Sequence, residues 1–531
     1  MLKVERCKTI LMRLPAPVVA IGIIAVTCFA IYSNSLFNGF IYDDISQIVR
    51  NPWIKDFKHV AQILSNNVWA FAGKTTNYYR PLPQILYMLT YHVFGLKAWA
   101  FHLINILLHT GTSIIIFFTV SKLMIDSPLL SSSSKLYPSL LTAMLFATHP
   151  IHTEAVTYIA GTADLSYSFF YILSFYLYID STKLFERRYL FSILSFFLAT
   201  LCKEPALTLP CLLIAYDVAL NFSKKEQVLS LYSLARYSLY FAIVGVYFII
   251  RFYALGSFAP VTNDLQITFY EYFMNIFLLF SQYLGKLILP IQLNFYYIFH
   301  PISSPLTMKA MIALLTVSVF IWFVLREFKK SQVVFIGMLF IVIPLLPALY
   351  IPGLSHGMKN SFAERYLYLP SFGFVLLSAL LVTWAQIKKQ NLAKAMTVIT
   401  VSLICLYSIG TINRNAIWKD NYSLWLDTVR KSPDGDIPHG SLGYALLEKG
   451  QIDEAISELQ IALSLNPDFA EAHNNLGVAY RRKGLIDEAI EEFGAAYWLN
   501  SADPLFGRNL KETYEIQRSL NEAKTRSNTA N

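Results

Sequence analysis

The chain has 531 residues, of which 55% are hydrophobic, 15% aromatic and only 15% charged, and its formal net charge is +9. Long apolar runs with charges crowded between and after them exclude an ordinary soluble domain and indicate a polytopic membrane protein with an appended soluble part. The positive balance does not imply a nucleic-acid partner, because the basic residues sit singly or in pairs beside apolar runs, where membrane topology accounts for them.

The first run, residues 15–36, is too long for a signal peptide's apolar region and lacks a small-residue cleavage site, so it reads as a retained anchor. Lys3, Arg6, Lys8 and Arg13 keep the N-terminus cytoplasmic and send the polar stretch 37–80 to the outer or lumenal face. That stretch opens with Ile41-Tyr42-Asp43-Asp44. Asp44, with Gln47 three residues on, fits a capping box before Ile48 and Val49, which leaves Asp43 spare as a working carboxylate; the alternative is that both are structural. Trp53, Phe57 and Trp69 suit short surface helices at headgroup level.

The next run, 81–94, is short and holds Gln84, Tyr87, Tyr91 and His92. If it crossed, every later basic loop would face outward, so it reads as an interfacial helix. Spans are then expected near 99–120, 137–149, 162–180, 189–201, 205–220, 234–254, 307–325, 331–350, 366–385 and 393–411, eleven with the first. The run 270–290, with Glu271, Gln282 and Lys286, is a second outer interfacial or re-entrant helix. Spans 137–149 and 189–201 are shorter than a bilayer needs, so they either stop beneath a cavity or extend into the neighbouring motif. The five cysteines, Cys7, Cys28, Cys202, Cys211 and Cys405, lack metal-ligand or disulfide-framework spacing.

After residue 411 the texture changes. Leu442-Gly443, Ala445, Gly450, Asp453-Glu454-Ala455-Ile456 and Ala462 recur 34 residues later as Leu476-Gly477, Ala479, Gly484, Asp487-Glu488-Ala489-Ile490 and Ala496. That is a tetratricopeptide period, with small residues where paired helices pack closely. The expected organisation is a transmembrane catalytic domain over 1–411 with its first outer loop at 37–98, a repeat α-solenoid over 412–516, and a disordered tail over 517–531.

The topology gathers further polar residues on the outer face. Arg80, in Tyr79-Arg80-Pro81, offers a fixed fork for a phosphate or snorkels at the interface. In the stretch with His149, His152 and Glu154 a histidine and a carboxylate at that spacing could hold a metal, though a third protein ligand is not evident, and hydrogen bonding to a polar substrate or packing of a helix break are the other readings. Asp164 is either the N-cap of its span or a second acid facing the site. Lys203 and Glu204 are adjacent, a poor geometry for pairing, so Lys203 is available to a lipid phosphate. Glu364 and Arg365 add another outer pair, and Arg80, Lys203 and Arg365 together form the expected phosphate-binding group.

With these motifs in order, and with Tyr79-Arg80-Pro81-Leu82, His102-Leu103-Ile104-Asn105, His109, His149 to Val156, Ala163-Asp164, Lys203-Glu204 and Ala363-Glu364-Arg365 to Pro370, the chain resembles the transmembrane and tetratricopeptide-repeat-containing O-mannosyltransferases, of the GT-C class of membrane glycosyltransferases, as a prokaryotic-type relative. The resemblance implies an all-α fold, a polyprenyl-phosphate-linked sugar as donor, a protein or peptide acceptor for which the repeats are a candidate docking surface, and inverting transfer on the non-cytoplasmic face of a plasma membrane or endoplasmic reticulum. By the same analogy Asp43, the first acid of the pair, is the base. The chemistry agrees: a polyprenyl phosphate leaves as a stable anion, so one carboxylate suffices as base, cations must hold the phosphate, and neither metal nor other cofactor is required. The reading from another class is a non-catalytic membrane scaffold whose repeats recruit partners; a transporter would want ionisable residues in mid-span.

Overall fold

Prolines and hydroxyl side chains set where many of the helices begin. Pro15 precedes α1 (Ala16–Tyr32) and Pro81 opens α2 (Pro81–Phe94), while Thr307 and Ser331 cap later helices by accepting from backbone N–H groups that a helix start leaves unpaired. Thr268 and Glu271 form a full capping box at the start of the helix Phe269–Ile288. The computed structural model describes residues 15–124, 135–224, 230–256, 268–349, 362–388 and 390–530, and every regular element among them is helical. Lys3, Arg6, Cys7, Lys8 and Arg13 lie outside the described residues. The chain divides after Trp418 into two compact units, with Asn294–His300 and Phe362 joining the second.

Among the described residues seven helices are long and apolar enough to cross a membrane: Ala16–Phe37, Ala98–Leu123, Glu204–Lys224, Leu231–Leu255, Met308–Phe328, Pro370–Lys388 and Ala393–Lys419. The protein is therefore a multi-pass membrane protein. Length and composition do not carry all eleven expected spans. The helices Leu136–Thr148 and Gln332–Val342 have 13 and 11 residues, or about 20 and 17 Å at 1.5 Å per residue, against a hydrocarbon core of about 30 Å. Helix α2, at 14 residues, is likewise too short to cross alone.

Four elements of the first unit frame the site. Helix α3 (Ala98–Leu123) packs beside α4 (Leu136–Thr148) and α6 (Thr162–Ile179), with Ile106, Phe146, Tyr167 and Tyr171 in one buried cluster. Between α4 and α6 the chain breaks at His149-Pro150 and returns through a short helix, α5 (Thr153–Thr157), and a turn at Ile159–Gly161. The helix Leu136–Thr148 ends at His149 and does not extend into the following motif as one span. Asn105 of α3 fixes this return by donating to the Val156 and Tyr158 carbonyls at 3.2 and 3.0 Å, and accepts from Thr162 at 2.6 Å. Gly161 packs directly on the Ala155 carbonyl, where any Cβ would collide, so glycine is what lets the turn fold back on α5.

The second unit repeats itself in detail. Helix pairs Asp436–Glu448 with Ile452–Leu465, and Ala470–Lys483 with Ile486–Leu499, place Gly443 against Leu459 and Gly477 against Phe493. Gly450 and Gly484 both take left-handed backbone, at φ 77 and 82, to end the first helix of each pair. His439 and His473 each bond a glutamate of the second helix, Glu458 and Glu492, at 2.6 Å, and the Pro433 and Pro467 carbonyls at 2.9 Å. The stretch expected to be disordered is instead the end of a helix, Pro504–Ala530. Its packing starts it, with Phe506 buried, and the i,i+4 pair Arg518–Glu522 at 3.1 Å continues it.

Candidate active site

The acidic pair is built on a tight turn after α1. Asp44 N–H donates to the Ile41 carbonyl at 2.9 Å, and Ile41 N–H donates back to Asp44 Oδ2 at 3.1 Å. This reciprocal closure puts Tyr42 and Asp43 at the apex, and Tyr42 takes left-handed backbone at φ 45, a conformation that costs a non-glycine residue about 1–3 kcal/mol. Asp44 Oδ1 also accepts from Ala160 N–H at 2.8 Å, tying the first loop to the return between α4 and α6. Asp44 is thus fully buried and does not cap Ile45–Val49, contrary to the capping-box expectation, because both its oxygens are engaged by backbone donors on other segments. Asp43 is half-buried. Burial pushes its carboxyl above the ordinary aspartate range, while Arg365, the Tyr158 hydroxyl and Lys74 pull against that rise.

Arg365 connects this acid to a group of three cation–carboxylate pairs. Its guanidinium pairs with the fully buried Glu154, and its backbone N–H donates to Glu154 Oε2 at 2.9 Å. Lys203 Nζ meets Asp164 Oδ1 at 2.5 Å, with both side chains about as buried as the core, at 5% and 4% exposure. Arg80 grips Glu204 Oε2 through Nε and Nη2 at 3.2 and 2.9 Å. Two of the cations share one ring, with Lys203 Nζ and the Arg365 guanidinium 4.9 and 5.2 Å from the centre of Tyr366, and Arg80 is near enough to act on Lys203 electrostatically. Burial pulls the Lys203 ammonium down to about 8, Asp164 opposes that shift, and Arg80 and Arg365 add to it as like charges.

Lys203 is therefore not a spare cation, as adjacency to Glu204 suggested. Its backbone is extended at the end of α7 (Arg187–Cys202), so residues 203 and 204 turn to different partners. Asp164 sits in the first turn of α6 as an ion-pair partner rather than as the N-cap, which is Gly161.

Three expected residues lie apart from this group. Glu364 is fully buried against Arg414, whose Nη2 meets its Oε2 at 2.9 Å. His149 and His152 are fully buried, with Nε2 of each near the Leu287 carbonyl at 3.2 Å and Ser371 Oγ at 2.7 Å respectively. Of the roles open to them, packing of a helix break is the one their contacts fit. Among the described residues no group of three or more His, Cys, Asp or Glu side chains is placed to hold a metal ion.

Comparison with known proteins adds to this geometry. A TPR repeat model matches residues 443–484 and a tetratricopeptide repeat model matches 470–503. Protein O-mannosyl-transferase TMTC3 of Homo sapiens is 27% identical over 488 residues, covering 83% of this chain and 50% of that protein. The Caenorhabditis elegans protein O-mannosyl-transferase F38B6.6 is 28% identical, covering 83% of this chain and 62% of its own, and the human TMTC1 is 28% identical, covering 86% and 56%. Its homologues are protein O-mannosyl-transferases. The chain spans about half the length of the first of these relatives. A crystal structure of ArnT from Cupriavidus metallidurans bound to undecaprenyl phosphate is 12% identical and covers 89% of this chain and 79% of its own, with a TM-score of 0.39.

Two participants escaped the motif reading of the sequence. Arg251, near the end of the helix Leu231–Leu255, lies 3.5 Å from Glu204 Oε1, bonds the Tyr247 hydroxyl at 3.2 Å and donates to the Asn77 carbonyl at 2.8 Å. It braces both Glu204 and the loop before Arg80. A cation inside a mostly apolar run, which also carries Arg236 near its start, was the available signal. Tyr158 had none, since only the fold of the return brings it to Asp43.

Proposed function

We propose that the first unit is a GT-C-class membrane glycosyltransferase. It moves a sugar, mannose first among candidates, from a polyprenyl phosphate to a protein Ser or Thr hydroxyl on the non-cytoplasmic face. The observation that carries this reading is the placement of one half-buried carboxylate, Asp43, in the field of Arg365, itself one of three neighbouring cations. A base and a phosphate site separated by one shared guanidinium is the arrangement an inverting displacement needs.

In the step proposed, the acceptor hydroxyl attacks the anomeric carbon from the face opposite the phosphate. The new carbon–oxygen bond forms as the bond to the phosphate oxygen breaks, the electron pair leaves on the phosphate, and the hydroxyl proton passes to Asp43. Arg80, Lys203 and Arg365 stabilise the charge gathering on the phosphate, and their carboxylate partners hold them in position beforehand. The partner carboxylates also keep the site's ground-state charge near balance and offset the mutual repulsion of the cations. No metal or other cofactor enters this step. The helix Gln390–Asn415 ends where Asn415 accepts from Thr157 at 2.8 Å, at the level of the site, and the repeats that follow are proposed to lie on that non-cytoplasmic side.

The test is transfer of labelled sugar from polyprenyl-phosphate donors to Ser/Thr peptides in membranes carrying the full chain. Transfer that is lost in Asp43→Asn is expected. A well-expressed, folded chain that moves no hexose from any polyprenyl phosphate would return the protein to the scaffold reading.

A further inference from the structure

The far end of the first unit holds a second, chemically different site. A cavity of about 550 Å³ opens between the C-terminal ends of α3, the helix Met308–Phe328 and the helix Pro370–Lys388, together with the start of Gln332–Val342. Its walls are apolar, including Phe323, Val334, Met338, Leu377 and Leu381. Its rim is not: Arg326, Glu327 and Lys388 line the mouth.

Position distinguishes this cavity from the transfer site. The helix Pro370–Lys388 starts just after the turn carrying Arg365 and ends at the cavity rim, and 19 residues make about 28 Å of helix. That is about one hydrocarbon thickness, so the cavity lies at the opposite membrane surface. Two tryptophans mark the depth. Arg326 lies 5.4 Å from the Trp322 ring and Lys388 lies 5.6 Å from the Trp384 ring, and both rings are exposed, as expected for side chains at headgroup level.

The charge around the rim selects the occupant. Arg326 and Lys388 come from two different helices, and Lys329 and Lys330 stand exposed just beyond the first of them. Glu327 is the acidic residue of the rim and is mostly buried, 3.4 Å from Arg326 Nε. A cavity within the roughly 300–1,000 Å³ range of small-molecule sites, dry-walled and cationic at its mouth, suits an acyl chain below and a phosphodiester above. We propose that it binds an anionic phospholipid of the leaflet opposite the transfer site. The donor polyprenyl phosphate is assigned to the other end, where its cations are, so this site is structural or regulatory and stands whether or not the transfer reading does.

The test uses the purified full chain in mild detergent, with phosphatidylglycerol and phosphatidylcholine of identical acyl chains offered in competition and bound lipid read by native mass spectrometry. Preferential retention of phosphatidylglycerol is expected. In the double variant Arg326→Gln/Lys388→Gln the preference should fall about thirtyfold, as two basic contacts near a lipid surface imply. Both side chains are solvent- or lipid-facing at the rim, so folding should be unaffected. Equal retention of the two lipids, a preference undiminished in the double variant, or displacement of the lipid by millimolar inorganic phosphate would each overturn the assignment, the last by pointing to a free anion.

Discussion

Replacing Asp43 by Asn and Asp44 by Asn should separate chemistry from architecture at adjacent positions. Asn at 43 preserves the volume and can still bond Tyr158, but it cannot take a proton, so turnover should fall about 10²- to 10⁴-fold, or about 2.7–5.4 kcal/mol of barrier. Stability should hold or rise, because burial disfavours the ionised Asp43 and the amide removes that charge. Asp44→Asn acts in the opposite sense. Its two oxygens accept from Ile41 and Ala160, and an amide presents only one acceptor, leaving one N–H facing an NH₂ group. A buried N–H left without an acceptor costs about 1–3 kcal/mol, so the melting temperature of this variant should drop while residual folded protein keeps a measurable rate. The assay is labelled-sugar transfer per folded molecule, with thermal unfolding measured on the same detergent-purified samples. Near-normal turnover in Asp43→Asn alongside a stable, inactive Asp44→Asn would refute the assignment of base and brace.

Lys203→Met strands Asp164 without its cation in a buried setting, at about 3–5 kcal/mol, so Lys203→Met/Asp164→Leu should be more stable than the single variant while both bind donor weakly. Equal melting temperatures for the two would contradict the pairing. The kcat/KM profile should be bell-shaped: activity rises as Asp43 loses its proton, above the ordinary aspartate value of about 3.9, and falls as Lys203 deprotonates near 8. An alkaline limb unmoved by Lys203→Arg would remove Lys203 from the profile. In the repeats, the Glu492 bond raises the His473 pKa above its ordinary 6.5, so the stability it adds is fully present below 6.5 and is lost as pH rises through the raised value. Hydrogen-exchange protection of Ala470–Lys483 should weaken over that window, and Glu492→Gln should flatten the change.

The sequence by itself determined what depends on short-range pattern. Hydropathy over some twenty residues marked the long apolar helices, and the period of 34 placed Gly443, Gly450, Gly477 and Gly484 at equivalent points of two helix pairs, because close packing and left-handed turns admit little else there. The acidic pair and the outer cations were likewise visible as charges beside apolar runs. What only the tertiary structure decided is which charges meet. Lys203 reaches Asp164 across 39 positions and Arg365 reaches Glu154 across 211, and no local rule pairs them. The capping box at Asp44 failed for the same reason: a backbone donor from Ala160, 116 positions away, competes for the carboxylate in a buried setting, where an unpaired N–H would cost more than a lost cap. Helix length told the same story, since α4 stops at His149-Pro150 to let the return carry Glu154 and Tyr158 inward, a break stabilised by Asn105 on another helix and by Gly161 packed on Ala155.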